Sequence, residues 1–590
     1  MSNLSDKRPF ACAAAAGLIA LIAIVRIVSS YSHMAQAFDE PCHVGASVEL
    51  LDKGTYTLDP VHPPLSRIAM GLPLYLAGAR YPRLSEPDAS DYNVVGDAVL
   101  NQSGHYLRTL IIARLGVLPF FGLACVVVFL WASRESGEFA GVAALALFTT
   151  MPIILAFSSL AYTDMAAAST QALACWGFSS WLDSHDLRST LWMGLAVGLA
   201  LLAKETSCLF LPACFLSLVV LQWLVTRRKT SQMAPDNVSP PRSFYRSLRK
   251  TAQEIAVAAA IACVVVWAGY GFSVGHLRES LRISPQSTIS FHHLPGPAAR
   301  IAREIIHYDP IVPAPALLTG LRTAWFLNQG RPASYLLGHI KNGGWWYFFL
   351  LGVGVKSPIP FLILVIAGLF SFTSFARDGR WTALAPATCA LAILLVTMPV
   401  TYDAGVRHVL AVFPLLAIVA GSGCSYLWHM KGGRWAWPRI ALIGLVLWQL
   451  ISTARAGRDT IAYFNELAGN DPSKVLVSGC DFDCGQDMFS LSRELQARHI
   501  THASFALWTS ADMSAMGLPE FDIPEPYQPV TGWLAISLRA WRFGDFRRHP
   551  FRTQYPPDAF DWLNQYVPVA RVGKTILLYY IPERVQSTAQ

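Results

Sequence analysis

Apolar residues in this chain come in blocks of about 18–24, the length that spans a bilayer as a helix, with polar segments between them. Reading these blocks predicts helices near 9–30, 108–131, 139–160, 165–182, 190–204, 207–225, 253–274, 357–375, 381–400, 406–428 and 438–455. The result is a polytopic α-helical membrane protein of about eleven spans. The polar intervals define a first loop at about 31–107, a second at about 275–356, and a tail from about 456 to 590. In the tail the pattern changes: Lys474 to Ser478, Trp533 to Leu538 and Thr575 to Ile581 read as strands, and Gln486 to Arg498 has helical spacing. The chain therefore divides into a transmembrane part, 1–455, and a soluble α/β appendage, 456–590.

Composition agrees with this division. Of 590 residues 53% are hydrophobic and only 14% charged, too few charges to coat a water-soluble globule of this size. The net charge of +8 does not call for a nucleic-acid partner, because the basic residues are localised. They gather at Lys7–Arg8, Arg134, Arg188, Arg227 to Lys250, Arg377–Arg380 and Lys431–Arg439, between alternate apolar blocks. That alternation is the positive-inside signature. It places the N-terminus and these clusters in the cytoplasm, and both long loops and the tail on the outer side. The small-residue sequence Ala35-Gln36-Ala37 resembles a signal-peptidase site, but the preceding apolar run is long and Arg26 interrupts its end. An uncleaved anchor is the expectation.

Candidate chemistry sits at the outer helix ends. Asp39 and Glu40 fall just beyond the first span, and Asp164 lies in the turn of AYTDMAAA. Lys204 ends GLALLAKET, Lys356 opens VKSPIP, and Arg407 with His408 opens the helix of GVRHVL. Taken singly, such groups cap helices or snorkel to headgroups. Together they make two acidic positions and a partial ring of cations on one membrane surface. A carboxylate can take a proton from a hydroxyl, and Arg or Lys can hold a phosphate, so the set suits transfer of a group from a lipid phosphate to an alcohol.

The residues resemble a known superfamily. FDEPCH with HPPL after the first helix, YTD, GLALLAKET, WWYFFLLGVGVKSPIPF, GVRHVLAVFPLLAIVAG, AYFNELAG and FDCGQDMFSLSREL follow one another along most of the chain. In this it is similar to the GT-C glycosyltransferases that use polyprenol-phosphate sugars. The bacterial branch in question is related to protein O-mannosyltransferases and to the aminoarabinose transferase that modifies lipid A. The resemblance implies Asp39 as catalytic base with Glu40 its partner in the motif. It implies Lys204, Lys356, Arg407, His408 and His62 near the donor phosphate and sugar, with Asp164 supporting them. It further implies inverting hexosyl or pentosyl transfer on the outer face of a bacterial inner membrane, from a polyprenyl-phosphate sugar to a hydroxyl of a protein, glycolipid or envelope polymer.

Two departures stand out. Cys484 occupies a position that usually carries an aromatic before Gly-Gln-Asp, and the second outer loop is too short for the β-rich domain of eukaryotic O-mannosyltransferases. The spacing of Cys480 and Cys484 leaves a disulfide and two free thiols both open. His43, His62, Asp59 and Glu49 could hold a divalent metal, but their spacing matches no recognisable ligand pattern. Trp325, Trp345, Trp346 and Tyr347 suit an interfacial aromatic belt better than a sugar platform. The rival readings are a secondary transporter, with charges coupled to ion movement, and a non-catalytic envelope-assembly or export component.

Overall fold

The computed structural model describes residues 7–86, 88–231, 242–281, 296–430, 436–548, 551–554, 556 and 558–583. Residues 232–241 in the middle of the cluster Arg227 to Lys250, the basic segment 431–435 and part of the second loop lie outside the described residues. Each of the eleven expected spans coincides with helix, but not all are single rods. Among the described residues seven helices are long and apolar enough to cross a membrane, including Phe10–Ser30, Ile359–Arg377 and Val412–His429. Glu138–Thr149 and Pro152–Ser158 form a pair bent by 66°, a broken span or a re-entrant loop, where Met151 takes an extended backbone before Pro152. Leu187–Ala203 and Trp381–Thr397 are apolar but shorter. These helices make the chain an integral membrane protein.

Close packing rests on small residues. A Cβ on Gly368 would lie 2.1 Å from the Val419 carbonyl oxygen, and one on Gly423 would lie 2.1 Å from that of Leu364. The helices Ile359–Arg377 and Val412–His429 can therefore touch backbone to backbone, the arrangement membrane helices favour when no hydrophobic force separates lipid from protein.

The outer layer is built on this bundle. The first loop folds into the helices Glu40–Lys53, Pro64–Leu76 and Tyr92–Asn101. The tail carries a five-stranded mixed sheet. Ala570–Val572, Ile576–Ile581 and Gly532–Ser537 pair antiparallel in that order, and His502–Ala506 runs parallel between Gly532–Ser537 and Glu520–Asp522. Alternation along the strands sorts the two faces. Ala535 and Leu578 pack with Leu491 and Leu495 of the helix Met488–Ala497, while Leu534, Ile536 and Tyr579 pack with Phe560 and Leu563. The strands expected at Trp533 to Leu538 and Thr575 to Ile581 and the helix at Gln486 to Arg498 are present.

The strand expected at Lys474 to Ser478 is not. The segment begins with the short turn Pro472–Lys474 and continues as an irregular run, although the Val475 carbonyl accepts from the Leu337 N–H at 2.9 Å. Leu476 and Val477 are apolar because they are fully buried, not because they extend a sheet. The tail is stitched to the bundle: the Ala35 N–H donates to the Gln486 carbonyl at 3.1 Å and the Phe38 N–H to the Cys484 carbonyl at 2.9 Å. Trp325 and Trp346 lie 58% and 63% exposed.

Candidate active site

The two adjacent carboxylates of the first loop have opposite surroundings. Asp39 is the last residue before the helix Glu40–Lys53, its N–H donating to the Tyr162 hydroxyl at 3.0 Å. Its carboxylate turns to a cavity of about 390 Å³ and accepts from Nη2 of Arg407 at 2.6 Å. Glu40 faces the other way, into the protein. Arg114 grips it through Nε at 2.8 Å and Nη2 at 2.7 Å, and the N–H groups of Ala37 and Ala161 donate to it at 2.7 Å each. Both side chains of this pair are fully buried. Arg114 also donates to the carbonyls of Tyr31, Met34 and Ala35. Glu40 is therefore corrected from catalytic partner to structural clamp: its lone pairs are saturated, and it fixes the backbone from which Asp39 projects.

Arg407 joins the acidic positions. It stands in the short turn Val406–Val409, with Nη2 on Asp39 and Nη1 3.8 Å from Asp164, and its guanidinium lies 4.9 Å above the Tyr162 ring. Its Nε is buried without a partner. Asp164, first residue of the helix Asp164–Ser184, meets Lys204 at 2.5 Å. Four of the expected residues thus form one chain of alternating charge, Asp39, Arg407, Asp164 and Lys204. Closing the turn needs glycine: Gly405 has φ 104°, and a Cβ there would lie 2.4 Å from the Gly479 carbonyl oxygen. Asp481 accepts from the Val406 N–H at 2.9 Å and sets the direction of the neighbouring Arg407.

His408 and His62 flank this chain. Burial and the adjacent cations Lys204 and Arg407 hold His408 well below the usual imidazole range, so it is neutral. His62 is shifted the other way. Burial works against its charged form, but Asp59 at 2.8 Å outweighs it and raises the pKa. Asp59 also faces His43 at 3.6 Å and Arg67 at 3.8 Å.

Lys356 does not join the cluster, which corrects the expectation that it meets the donor phosphate. Its Nζ donates to the carbonyls of Ile461, Tyr463 and Asp481, all three of its hydrogens being used. It secures the start of the tail to the helix Phe348–Lys356. Cys480 and Cys484 form a disulfide, whose two sulfurs lie 3.4 Å from the Tyr162 hydroxyl, behind Asp39. Cys484 thus takes a packing role where an aromatic was expected.

Of the metal candidates, Glu49 is occupied by donors from Thr55, Thr57 and Leu58. Cys42, His43 and Asp59 bring three donor atoms within 4.8 Å of one another, the residues that could hold an ion beside the site. Sequence reasoning missed Arg114 and Tyr162, and it considered Asp59 only as a metal candidate, not as the partner of His62. Arg114 carried a signal, being a lone cation inside an apolar block.

Electrostatics set the protonation of Asp39. Burial would raise its pKa, but Arg407 above all, with His43 and His62, lowers it beneath the ordinary value of 3.8. The ionised, proton-accepting form therefore persists through the neutral range and is lost only as pH falls below the usual carboxylate range. The acidic limb of any reaction that uses Asp39 should lie below that range, and Arg407→Gln should move it upward because burial then acts unopposed. A pH–rate profile of the two proteins checks both statements.

Comparison with known proteins gives three findings. The model of one family, dolichyl-phosphate-mannose-protein mannosyltransferase, matches residues 111–235. No curated protein matches the sequence. Among solved structures, ArnT from Cupriavidus metallidurans bound to undecaprenyl phosphate is 13% identical, with a TM-score of 0.45 over 95% of this chain and 97% of that one. The oligosaccharyltransferase from Archaeoglobus fulgidus tethered with an acceptor peptide is 11% identical, with a TM-score of 0.45 over 94% of this chain and 75% of that one.

Proposed function

We propose that this protein is a membrane glycosyltransferase of the GT-C kind, which moves a sugar from a polyprenyl-phosphate donor to a hydroxyl acceptor on the outer face of a bacterial inner membrane. The observation that carries the reading is the Asp39–Arg407 pair, a proton acceptor and an anion holder 2.6 Å apart on the wall of one cavity. The family match over residues 111–235 supports it. At about 390 Å³ the cavity is in the range of small-ligand sites, roughly 300–1,000 Å³, and suits a sugar with its phosphate.

The reaction follows from these groups. Donor phosphate entering the cavity draws the Arg407 guanidinium, whose Nε is still unpartnered, away from Asp39. The freed carboxylate becomes more basic as its counter-charge leaves. The acceptor oxygen attacks the anomeric carbon from the face opposite the phosphate, the carbon–oxygen bond to phosphate breaks, and its electrons pass to the phosphate oxygen. The acceptor proton goes to Asp39 during attack, since a carboxylate is too weak a base to ionise an alcohol beforehand. Negative charge growing on the lipid phosphate is met by Arg407, with Lys204 and His62 behind it.

Purified protein given polyprenyl-phosphate sugars and hydroxyl acceptors should release lipid phosphate together with a glycosidic product. Movement of solute across liposomes with no such product would favour the transporter instead. Arg407→Lys keeps the charge but loses the planar fork, and should weaken binding of polyprenyl phosphate by roughly tenfold to a hundredfold, the worth of one charge-assisted hydrogen bond. Fluorescence or calorimetric titration with the lipid phosphate measures it.

A further inference from the structure

The same cavity has a second carboxylate to which the reaction above gives no role. Asp403 lies on its wall, on the irregular stretch leading to the turn that holds Arg407, and is 3% exposed. One of its oxygens, Oδ2, accepts from the Trp345 N–H at 2.8 Å. The other, Oδ1, is buried with no hydrogen-bond partner. The carboxylate is seated closely: a Cβ on Gly344, whose φ is 62°, would come within 1.8 Å of Oδ2. Only glycine at 344 leaves room for an acid here. An unpaired buried acceptor is expensive to maintain, costing about 1–3 kcal/mol, and a chain under no other demand would fill the position with an apolar residue.

We infer that Asp403 is a specificity-determining residue, whose free oxygen accepts a hydrogen bond from one hydroxyl of the substrate seated in the cavity beside Asp39. The inference rests on the transferase reading and deepens it. Sugars and their acceptors offer hydroxyl donors in fixed directions, and a site built to pair one of them rejects the analogue lacking it, because the protein group is then left unpaired. Burial raises the Asp403 carboxyl to about 7, the Trp345 N–H and the Lys341 ammonium only partly opposing it. The acceptor proton goes to Asp39 and not to Asp403, so loss of Asp403 should act on recognition and not on the chemical step.

The hydroxyl could belong to the transferred sugar or to the acceptor, and steady-state kinetics separates the two. The probes are a polyprenyl-phosphate hexose, its monodeoxy analogues, and an acceptor alcohol that the wild-type protein uses. Asp403→Asn retains an oxygen for the Trp345 N–H but presents an amide N–H₂ to the cavity. It should raise one KM by roughly tenfold to a hundredfold, with kcat changed far less. The donor KM rises if the hydroxyl is on the sugar, the acceptor KM if it is on the acceptor. One monodeoxy analogue should be penalised by the wild-type protein and not further by Asp403→Asn, a pattern that a merely structural role would not give. Should Asp403→Asn fail to fold, Asp403→Ser, smaller and neutral, is read in the same way. Unchanged KM values, or a raised donor KM with equal penalties for every analogue in both proteins, overturn the inference and leave the transferase reading standing. Absence of lipid-phosphate release by the wild-type protein overturns both.

Discussion

Asp39→Asn should lower the rate of sugar transfer by about 10²–10⁴-fold, the contribution of a positioned general base, while leaving the folded protein as abundant and as heat-resistant as the wild type. Asn keeps the shape of the side chain and can still accept from Arg407, so the cavity wall is preserved. What disappears is the capacity to receive the acceptor's proton. Arg407, 13% exposed on the cavity wall, keeps Asp164 at 3.8 Å as a counter-charge when the Asp39 charge is removed, so the cation is not left uncompensated. Transfer measured as glycosidic product, alongside a melting curve in detergent, separates the catalytic effect from any change in fold.

One residue further on, the expected result reverses. Glu40→Gln should destabilise the protein by about 3–5 kcal/mol, because it leaves the guanidinium of Arg114 uncompensated in the interior. Both partners are fully buried, and Arg114 also holds the carbonyls of Tyr31, Met34 and Ala35. Any loss of activity should therefore track loss of folded protein. The double change Glu40→Gln with Arg114→Met removes both charges and should recover part of that stability, since a buried pair gives little over a well-packed apolar replacement. Thermal unfolding of the single and double variants tests this. If Glu40→Gln were as stable as wild type but inactive, the division of labour between the two carboxylates would fall.

That division shows how far the sequence could be read. The spanning helices are legible because a bilayer demands about 20 apolar residues in a row and little else. The breaks at Met151 and at Gly116, where the helices Tyr106–Leu115 and Leu118–Ser136 meet, are less so, because apolarity continues through them. Asp39, Asp164, Lys204 and Arg407 could be placed together because each stands at a helix end that the charge pattern assigns to one side of the membrane. Glu40 and Lys356 satisfy the same rule and yet turn inward. An ionisable residue at the membrane surface looks the same in sequence whether its partner is a ligand or the protein's own backbone. The partner of Glu40 lies 74 residues away, and those of Lys356 more than 100. In the tail, Val475 to Ser478 has the apolar content of a strand, but Val477 is buried by packing with Tyr335 and Phe543 and Leu476 by packing into the main core, not by a sheet.

The most direct test of the account is a structure of the protein in lipid nanodiscs with a polyprenyl phosphate bound. It predicts phosphate density in the cavity within hydrogen-bond distance of the Arg407 guanidinium, with the Asp39–Arg407 contact opened and the Asp39 carboxylate turned toward the space a sugar would fill. Phosphate held elsewhere, with that contact intact at its present 2.6 Å, would contradict it.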